Sequence, residues 1–269
     1  MKYCRFLLDE QVHYGAVEDR GGELWITQLT ASQDEDARFH AEHGRRTSFS
    51  FSFEPMLLSL AELLPPVTPS KIVCVGRNYR DHVKEMGSEL PQEPLLFFKP
   101  PSALLGCGGI IRMPAASTRV DYEGELAVVI DHRVRNLKVE DWRTAVRGYT
   151  LANDVTARDL QKSDGQWTRA KGFDTFCPVG PLVSDEIDAE VGLRIETRVN
   201  GGLRQQASTL DFIFAIPQLL AYITSAFTLE AGDLVLTGTP AGVGPLAAGD
   251  RVQVSVSGLG VLVNTVEAE

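Results

Sequence analysis

The stretch Val120-Asp121-Tyr122-Glu123-Gly124-Glu125-Leu126-Ala127-Val128-Val129-Ile130 constrains the fold more than any other part of the chain. Leu126 to Ile130 is apolar and rich in β-branched residues, so the segment entering it is expected to be extended. Side chains at i and i+2 of a strand point to one face. Glu123 and Glu125 should then project side by side, with Gly124 between them. Two ionised carboxylates that close repel, and each disfavours charging of the other. A divalent cation would remove the conflict. A lone Glu-x-Glu also suits the solvated polar face of an antiparallel strand, so the rest of the chain has to decide between the two.

A chain of 269 residues, 43% hydrophobic and 23% charged, can bury a substantial core as one large domain or as a main domain with a small appendage. A formal net charge of −10 argues against non-specific nucleic-acid binding and against a basic membrane patch. It fits a protein that handles small molecules, in which a bound cation supplies any positive potential an anionic substrate needs. Cys4, Cys74, Cys107 and Cys177 are scattered, with no Cys-x-x-Cys and no Cys/His cluster, so buried reduced thiols are expected rather than zinc or a disulfide framework. Met1 to Arg5 opens no long apolar signal region, and no run approaches a membrane span. The expected compartment is the cytoplasm.

Residues 1–66 read as a small β-rich N-terminal domain. Its strands are expected at Tyr3–Leu8, His13–Val17 and Leu24–Gln28, with a polar loop or short helix over Gln33–Arg46 and Pro65-Pro66 as the linker. Residues 67–269 form the main domain. Lys71–Gly76 reads as a buried strand, Arg77–Gly87 as a short helical turn and Leu95–Lys99 as another strand. Trp142–Arg147 suggests a helix, and Gly148–Asp154 a strand ending on an acidic residue. Leu193–Val199 and Leu203–Gln206 suggest a hairpin, and Phe212–Thr224 carries the clearest helical spacing. Strands at Leu234–Pro240, Arg251–Ser257 and Val261–Val266 close the chain. Many short strands and few helices indicate a mainly β or α+β fold.

Asp154 is the natural third partner for the glutamate pair, because a carboxylate at a strand end can face a pocket while its backbone stays paired. Three carboxylates without Cys or His form a hard-oxygen set suited to Mg²⁺ or Mn²⁺. Lys171, in Trp167-Thr168-Arg169-Ala170-Lys171-Gly172-Phe173-Asp174, is either a surface lysine or a cation that stabilises an enolate beside the metal. His82 and Glu85 are spaced i, i+3 and share one face of a helical turn, as a surface ion pair or as an oriented base. Thr237-Gly238-Thr239-Pro240 offers hydroxyls and N–H groups suited to a carboxylate, or is simply a turn.

These segments stand in an order that resembles the fumarylacetoacetate hydrolase superfamily: VGRNYRDHVKEMG, LLFFKPPSAL, DYEGELAVVI, LANDVTARDLQ, WTRAKGFDTFCPVGP and LTGTPAGVG, from about residue 71 to the C-terminus. The resemblance implies a distorted β-roll catalytic domain holding one Mg²⁺ or Mn²⁺, in a homodimer. By motif position Glu123, Glu125 and Asp154 would be the metal ligands and Lys171 the active-site lysine. Thr239 would contact the substrate carboxylate, with Arg77 and Tyr79 also binding substrate. His82 and Glu85 look like the dyad of the acylpyruvase and oxaloacetate decarboxylase branch, carried on a lid. Gln161 would help hold the attacking water or the developing oxyanion. The N-terminal segment is shorter than the extension of fumarylacetoacetate hydrolase itself, which argues against fumarylacetoacetate as substrate.

The implied reaction is metal-dependent hydrolysis of a C–C bond in an acylpyruvate, decarboxylation of oxaloacetate, or both, through an enolate. Three carboxylates around one divalent cation would leave the shell near −1, so Lys171 would help to hold that enolate. Rival readings are an isomerase or decarboxylase of diene-dioates from aromatic catabolism, a thiol-dependent cis–trans isomerase, and a metal-binding protein without catalysis.

Overall fold

The computed structural model describes residues 1–30 and 53–269; the stretch read as a polar loop at 33–46 lies outside them. Alternating burial places β1 (Lys2–Leu8), β2 (Gln11–Arg20) and β3 (Glu23–Thr30) in a meander, followed by β4 (Met56–Leu57) and β5 (Glu62–Leu64). Next come β6 (Ile72–Gly76), helix α1 (Arg80–Glu85), β7 (Leu95–Lys99), β8 (Leu104–Leu105) and β9 (Ile110–Met113). The expected strand over Glu123 is split in two, β10 (Val120–Tyr122) and β11 (Gly124–Ile130). β12 (Val146–Asn153) and β13 (Thr156–Ala157) lead into the short helices α2 (Arg158–Ser163) and α3 (Thr168–Gly172), then β14 (Cys177–Ser184). The expected hairpin is β15 (Arg194–Val199) and β16 (Gly202–Ser208). Helix α4 (Ile216–Ala226), β17 (Leu234–Leu236), β18 (Gly244–Pro245), β19 (Arg251–Val256) and β20 (Gly260–Ala268) complete the chain.

The described residues form three sheets. The largest runs β4-β3-β2-β1-β14-β12-β11-β17-β6-β7, with β5 on β1 and β8 on β14; the others run β16-β15-β19-β20-β9 and β13-β10-β18. The boundary read at residues 66/67 is not a break in hydrogen bonding, because β1 pairs with β14 through Lys2–Ser184 and Tyr3–Val183. The meander extends the main sheet from its edge, which leaves those backbone groups paired.

β11 is apolar on both faces because it is covered on both. Leu126, Val128 and Ile130 pack in one buried cluster with Ile195, Val254 and the α4 residues Leu219, Leu220 and Ile223. Ala127 and Val129 face a second cluster with Ala152, Cys177, Val179, Leu234 and Leu236. Fully burying each of the larger aliphatic side chains contributes about 1.5–3 kcal/mol. Glu125 shares the parity of Ala127 and Val129, so its carboxylate sits at the end of that second face.

Two helix expectations shift. The clearest helical pattern begins at Ile216 rather than Phe212, with Pro217 in its first turn. Phe212 instead bridges to Tyr79 in extended geometry, and the Phe214 amide donates to Asn78 Oδ1 at 2.8 Å. The Trp142 segment is a 3₁₀ turn over Val139–Ala145 that gives way to strand at Val146.

Gly124 is fixed by a close approach of two sheets. A Cβ there would lie 2.0 Å from Thr197 Oγ1 and 3.2 Å from Val254 Cγ2. Gly124→Ala is therefore expected to lower unfolding stability by about 1–3 kcal/mol through overpacking, measured by urea titration followed by tryptophan fluorescence.

Candidate active site and metal centre

Glu123, Glu125 and Asp154 converge, with one carboxylate oxygen from each lying within 4.8 Å of the others. They are 5%, 2% and 1% exposed, which rules out the solvated strand face. The chain passes from one sheet to another at Glu123, and the crossing is held by its backbone. Its N–H donates to Asn153 Oδ1 at 2.9 Å, and its carbonyl accepts from the Asp154 N–H at 2.8 Å. Glu125 stands opposite Ala152 on β12, and its Oε2 accepts from the Gly238 N–H at 2.7 Å. Gly238 has φ +101°, and a Cβ there would meet Asn78 Cβ at 2.8 Å, so the turn after β17 needs glycine to aim that N–H.

Buried cations answer the three carboxylates. Lys171, on α3, donates from Nζ to Glu123 Oε2 at 2.8 Å and to Asp154 Oδ2 at 2.5 Å, with Nζ also 4.9 Å from the Phe97 ring centroid. Arg158 donates from Nη2 to Glu123 Oε1 at 2.6 Å, from Nη1 to Gln161 Oε1 at 2.8 Å and from Nε to Asp121 Oδ2 at 3.0 Å. Lys99 reaches Asp154 from behind, 2.7 Å from Oδ1, and also donates to the Val155 carbonyl at 3.1 Å. Burial opposes ionisation of Glu123, but Lys171 and Arg158 outweigh it and hold that carboxyl well below the usual range. Glu125 goes the other way: burial first, then Asp154 and Glu123, push its pKa well above the carboxylate range. Burial also works against the Lys171 ammonium, yet Asp154 and Glu123 raise its pKa.

The carboxylates, Lys171, Arg158 and Gln161 line a narrow cleft with His82, Arg77, Thr239, Val75, Met86, Phe97 and Trp167. His82 Nδ1 lies 3.3 Å from Glu85 Oε2, and the imidazole is buried. The Glu85 carboxylate also accepts from the Gly242 N–H at 3.1 and 3.2 Å, which ties α1 to the segment after Thr239. At the root of α1, Asn78 Nδ2 donates to the Thr237 carbonyl at 2.8 Å and the Phe214 carbonyl at 3.1 Å. Arg77 sits at φ +58°, and its Nε has no hydrogen-bond partner. The Thr239 hydroxyl donates to the Gly124 carbonyl at 3.0 Å and accepts from Gln205 Nε2 at 2.8 Å. Tyr79 is not among the residues lining the cleft. It is 1% exposed, and its ring packs edge-on against Phe212 at 4.9 Å between centroids, so packing takes the place of the substrate contact expected for it.

Residues 71–267 match the fumarylacetoacetate (FAA) hydrolase C-terminal family. The chain belongs to this family. It is 44% identical over 268 residues to protein Rv2993c of Mycobacterium tuberculosis, covering 99% of this chain and 98% of that one. It is 42% identical over 244 residues to oxaloacetate tautomerase YisK of Bacillus subtilis, covering 86% and 81%. The solved structure of 2-hydroxyhepta-2,4-diene-1,7-dioate isomerase from Mycobacterium marinum superimposes with a TM-score of 0.86 at 38% identity, covering 100% and 99%. The sheet-rich fold is thus the fold of fumarylacetoacetate hydrolase relatives.

The donors fit the metal that the family implies. The cluster offers carboxylate oxygens and no thiolate or imidazole, which suits a hard divalent cation. Lys171 Nζ lying between Glu123 and Asp154 shows that positive charge is accepted at that point. Arg158, Asp121 and Lys99 were not singled out from the sequence. Two of them carried a usable signal: Arg158 stands three residues before Gln161 on one helix, and Asp121 two residues before Glu123 in an extended run. Lys99, at the end of an apolar strand, carried none.

No helix among the described residues is long and apolar enough to cross a membrane.

The raised Glu125 pKa sets the sign of a pH dependence. In the metal-free protein the folded state binds this proton more tightly than the unfolded chain, so stability falls as pH rises from the ordinary carboxylate range through the folded pKa. A divalent cation must displace the proton, and its affinity rises with pH over the same interval. The increase in Tm caused by Mg²⁺ or Mn²⁺ is therefore expected to be larger at pH 8 than at pH 5.5, measured by differential scanning fluorimetry.

Proposed function

We propose that the protein acts on a small 2-oxo acid through an enolate, with Mg²⁺ or Mn²⁺ held by Glu123, Glu125 and Asp154. The reactions in view are C–C hydrolysis of an acylpyruvate-type 2,4-dioxo acid to pyruvate, and decarboxylation or tautomerisation of oxaloacetate. The observation that carries this reading is the convergence of three carboxylates, a buried ammonium and a histidine–glutamate pair on one cleft. The similarity to an oxaloacetate tautomerase supports the substrate class.

A bound divalent cation would supply Lewis-acid polarisation of the acid's carboxylate and 2-oxo oxygens. The remaining chemistry falls to side chains of the chain. Lys171 presents its ammonium from a dry site, where charge stabilisation is stronger than in water. His82, turned by Glu85 through Nδ1, leaves its other ring nitrogen to move a proton. For an acylpyruvate, His82 takes a proton from water, the hydroxide attacks the distal carbonyl, and the C–C bond breaks towards the pyruvate enolate. The proton then returns from His82 to the enolate carbon. For oxaloacetate, loss of CO₂ or transfer of a proton at C3 reaches an enolate without any nucleophile. Phe97, Trp167, Met86 and Val75 keep bulk water from the reacting end.

A second reading, isomerisation of a hydroxylated diene-dioate, draws on the likeness to the isomerase from Mycobacterium marinum. It needs proton transfer but no water activation.

Pyruvate release from acetylpyruvate and from oxaloacetate, and loss of the oxaloacetate enol, are to be followed with Mg²⁺, Mn²⁺ or EDTA. Turnover that EDTA abolishes and either metal restores is the expected result. Turnover unaffected by EDTA, or turnover of diene-dioates alone, would overturn the proposal. Lys171→Ala is expected to lose on the order of 10²–10³ in kcat. His82→Gln should abolish acetylpyruvate hydrolysis while leaving metal-dependent oxaloacetate decarboxylation measurable; equal loss of both would remove His82 from its role as the base for water.

A further inference from the structure

Asp121 is completely buried, yet it neither lines the cleft nor belongs to the carboxylate cluster. It stands where two guanidinium groups meet. Arg119, half exposed, reaches it from the surface, with Nε 2.9 Å from Oδ1 and Nη2 3.1 Å from Oδ2. Arg158 reaches it from the cleft side, with Nε 3.0 Å from Oδ2. We infer that Asp121 is a positioning residue that acts through Arg158: it fixes the rotation of that guanidinium, so that Gln161 is held with its NH₂ group free to donate into the cleft. The kinetic consequence of that role rests on the 2-oxo acid reading above; the geometry does not.

The placement begins in the backbone. β10 and β13 pair Val120 with Ala157 and Asp121 with Thr156, and the Arg158 N–H continues the ladder by donating to the Arg119 carbonyl at 2.8 Å. Arg158 therefore starts beside Asp121, although 37 positions separate them in the chain. The ladder fixes only the root of the side chain. Its far end could still pair with Glu123 alone through two nitrogens, the bidentate geometry that guanidinium and carboxylate favour. Asp121 removes that choice by taking Nε. With Nε on Asp121, Nη2 lies 2.6 Å from Glu123 Oε1 and Nη1 2.8 Å from Gln161 Oε1, so three side chains hold the planar fork at three corners. A guanidinium only donates, so the Gln161 atom that faces it is the carbonyl oxygen. The NH₂ group is then the end of this carboxamide left for the cleft that Gln161 lines, where it can donate to an oxygen but cannot accept a proton. Without Asp121 the fork can swing onto Glu123, and the carboxamide is free to turn over.

The test is a double-mutant cycle on the full-length protein with Mg²⁺, using whichever of acetylpyruvate and oxaloacetate it turns over. Asp121→Ala is expected to lower kcat by roughly 10- to 100-fold. Asp121→Ala combined with Gln161→Ala should then match Gln161→Ala alone within about twofold, because the two changes remove one effect. Losses that multiply would overturn the inference. Asp159 supplies the control. It ties the start of α2 to the Ser117 hydroxyl at 2.6 Å and the Thr118 amide at 2.8 Å, and makes no hydrogen bond to Arg158 or Gln161. Any loss from Asp159→Ala should multiply with that from Gln161→Ala; coupling equal to that of Asp121 would mean a general loosening of α2 and would also overturn the role. A readout without turnover is the Gln161 side-chain amide signal in protein labelled with ¹⁵N-glutamine, identified by its loss in Gln161→Ala. Asp121→Ala is expected to shift it towards the signals of solvent-exposed glutamines, and Asp159→Ala to leave it in place. A signal unmoved by Asp121→Ala, or moved equally by Asp159→Ala, overturns the inference whatever the kinetics. If the signal moves as expected but neither substrate reacts, the positioning role stands and the reaction reading falls instead. Should Asp121→Ala fail to fold, Asp121→Asn carries the same comparisons, because it keeps the shape but only one of the two oxygens that the arginines use.

Discussion

Three carboxylates within a few ångströms of one another, nearly dry, set the terms for the rest of this structure. Removing an ion from water costs several kcal/mol unless a partner of opposite charge compensates it at close range. Every chain segment around the cluster answers that requirement. α3 delivers Lys171 between two of the carboxylates, α2 delivers Arg158, the end of β7 delivers Lys99, and the turn after β17 aims the Gly238 amide at the third. The compensation is uneven. Glu123 is held ionised by Lys171 and Arg158, while Glu125 is left with one backbone donor and an elevated pKa. That unevenness leaves Glu125 the least compensated carboxylate of the three.

The sheets supply the rigidity that such a cluster needs. Glu125 is part of a strand paired on both sides, to β12 and to β17. Asp154 follows directly on the end of β12, and the Glu123–Asp154 backbone hydrogen bond ties the two strand ends together. Gln205, from β16 in another sheet, accepts from the Gly124 amide and donates to Thr239 and to the Pro240 carbonyl, so two sheets and the turn after β17 share one side chain. The α1 turn is anchored differently, through Asn78 at its root and Glu85 at its tip. Glu85 therefore serves two ends at once, orienting His82 and holding α1 against the Gly242 segment.

The different reactions named among relatives of one family have a simple chemical basis. Hydrolysis, decarboxylation, tautomerisation and isomerisation of 2-oxo acids all pass through an enol or enolate, so one arrangement of charge serves each of them. What distinguishes them is where a proton is delivered and whether water is admitted. Among the residues lining the cleft, His82 and Gln161 bear groups able to move a proton or hold water, and Met86, Phe97 and Trp167 form apolar walls.

The sequence by itself determined the strand-rich class and brought the carboxylate trio, Lys171 and the His82–Glu85 pair forward as candidates. Short-range periodicity and residue chemistry supplied the signal, an apolar β-branched run after Glu-Gly-Glu, an acidic residue at a strand end and a histidine one helical turn from a glutamate, but each also suited an ordinary surface role, and Lys171 had no local signal at all. The ordered motifs favoured the site reading and added the family. Only the tertiary structure decided the balance of charge, because Lys99 and Asp154 are brought together by the pairing of distant strands that no local pattern encodes. It also broke the expected strand at Glu123, where the chain changes sheets, moved Tyr79 from the cleft into packing against Phe212, and joined the N-terminal meander to the main sheet through β1 and β14. In each case the deciding contact lies between elements remote in sequence, and the free energy of burying or pairing them exceeds the local preference that the sequence displays.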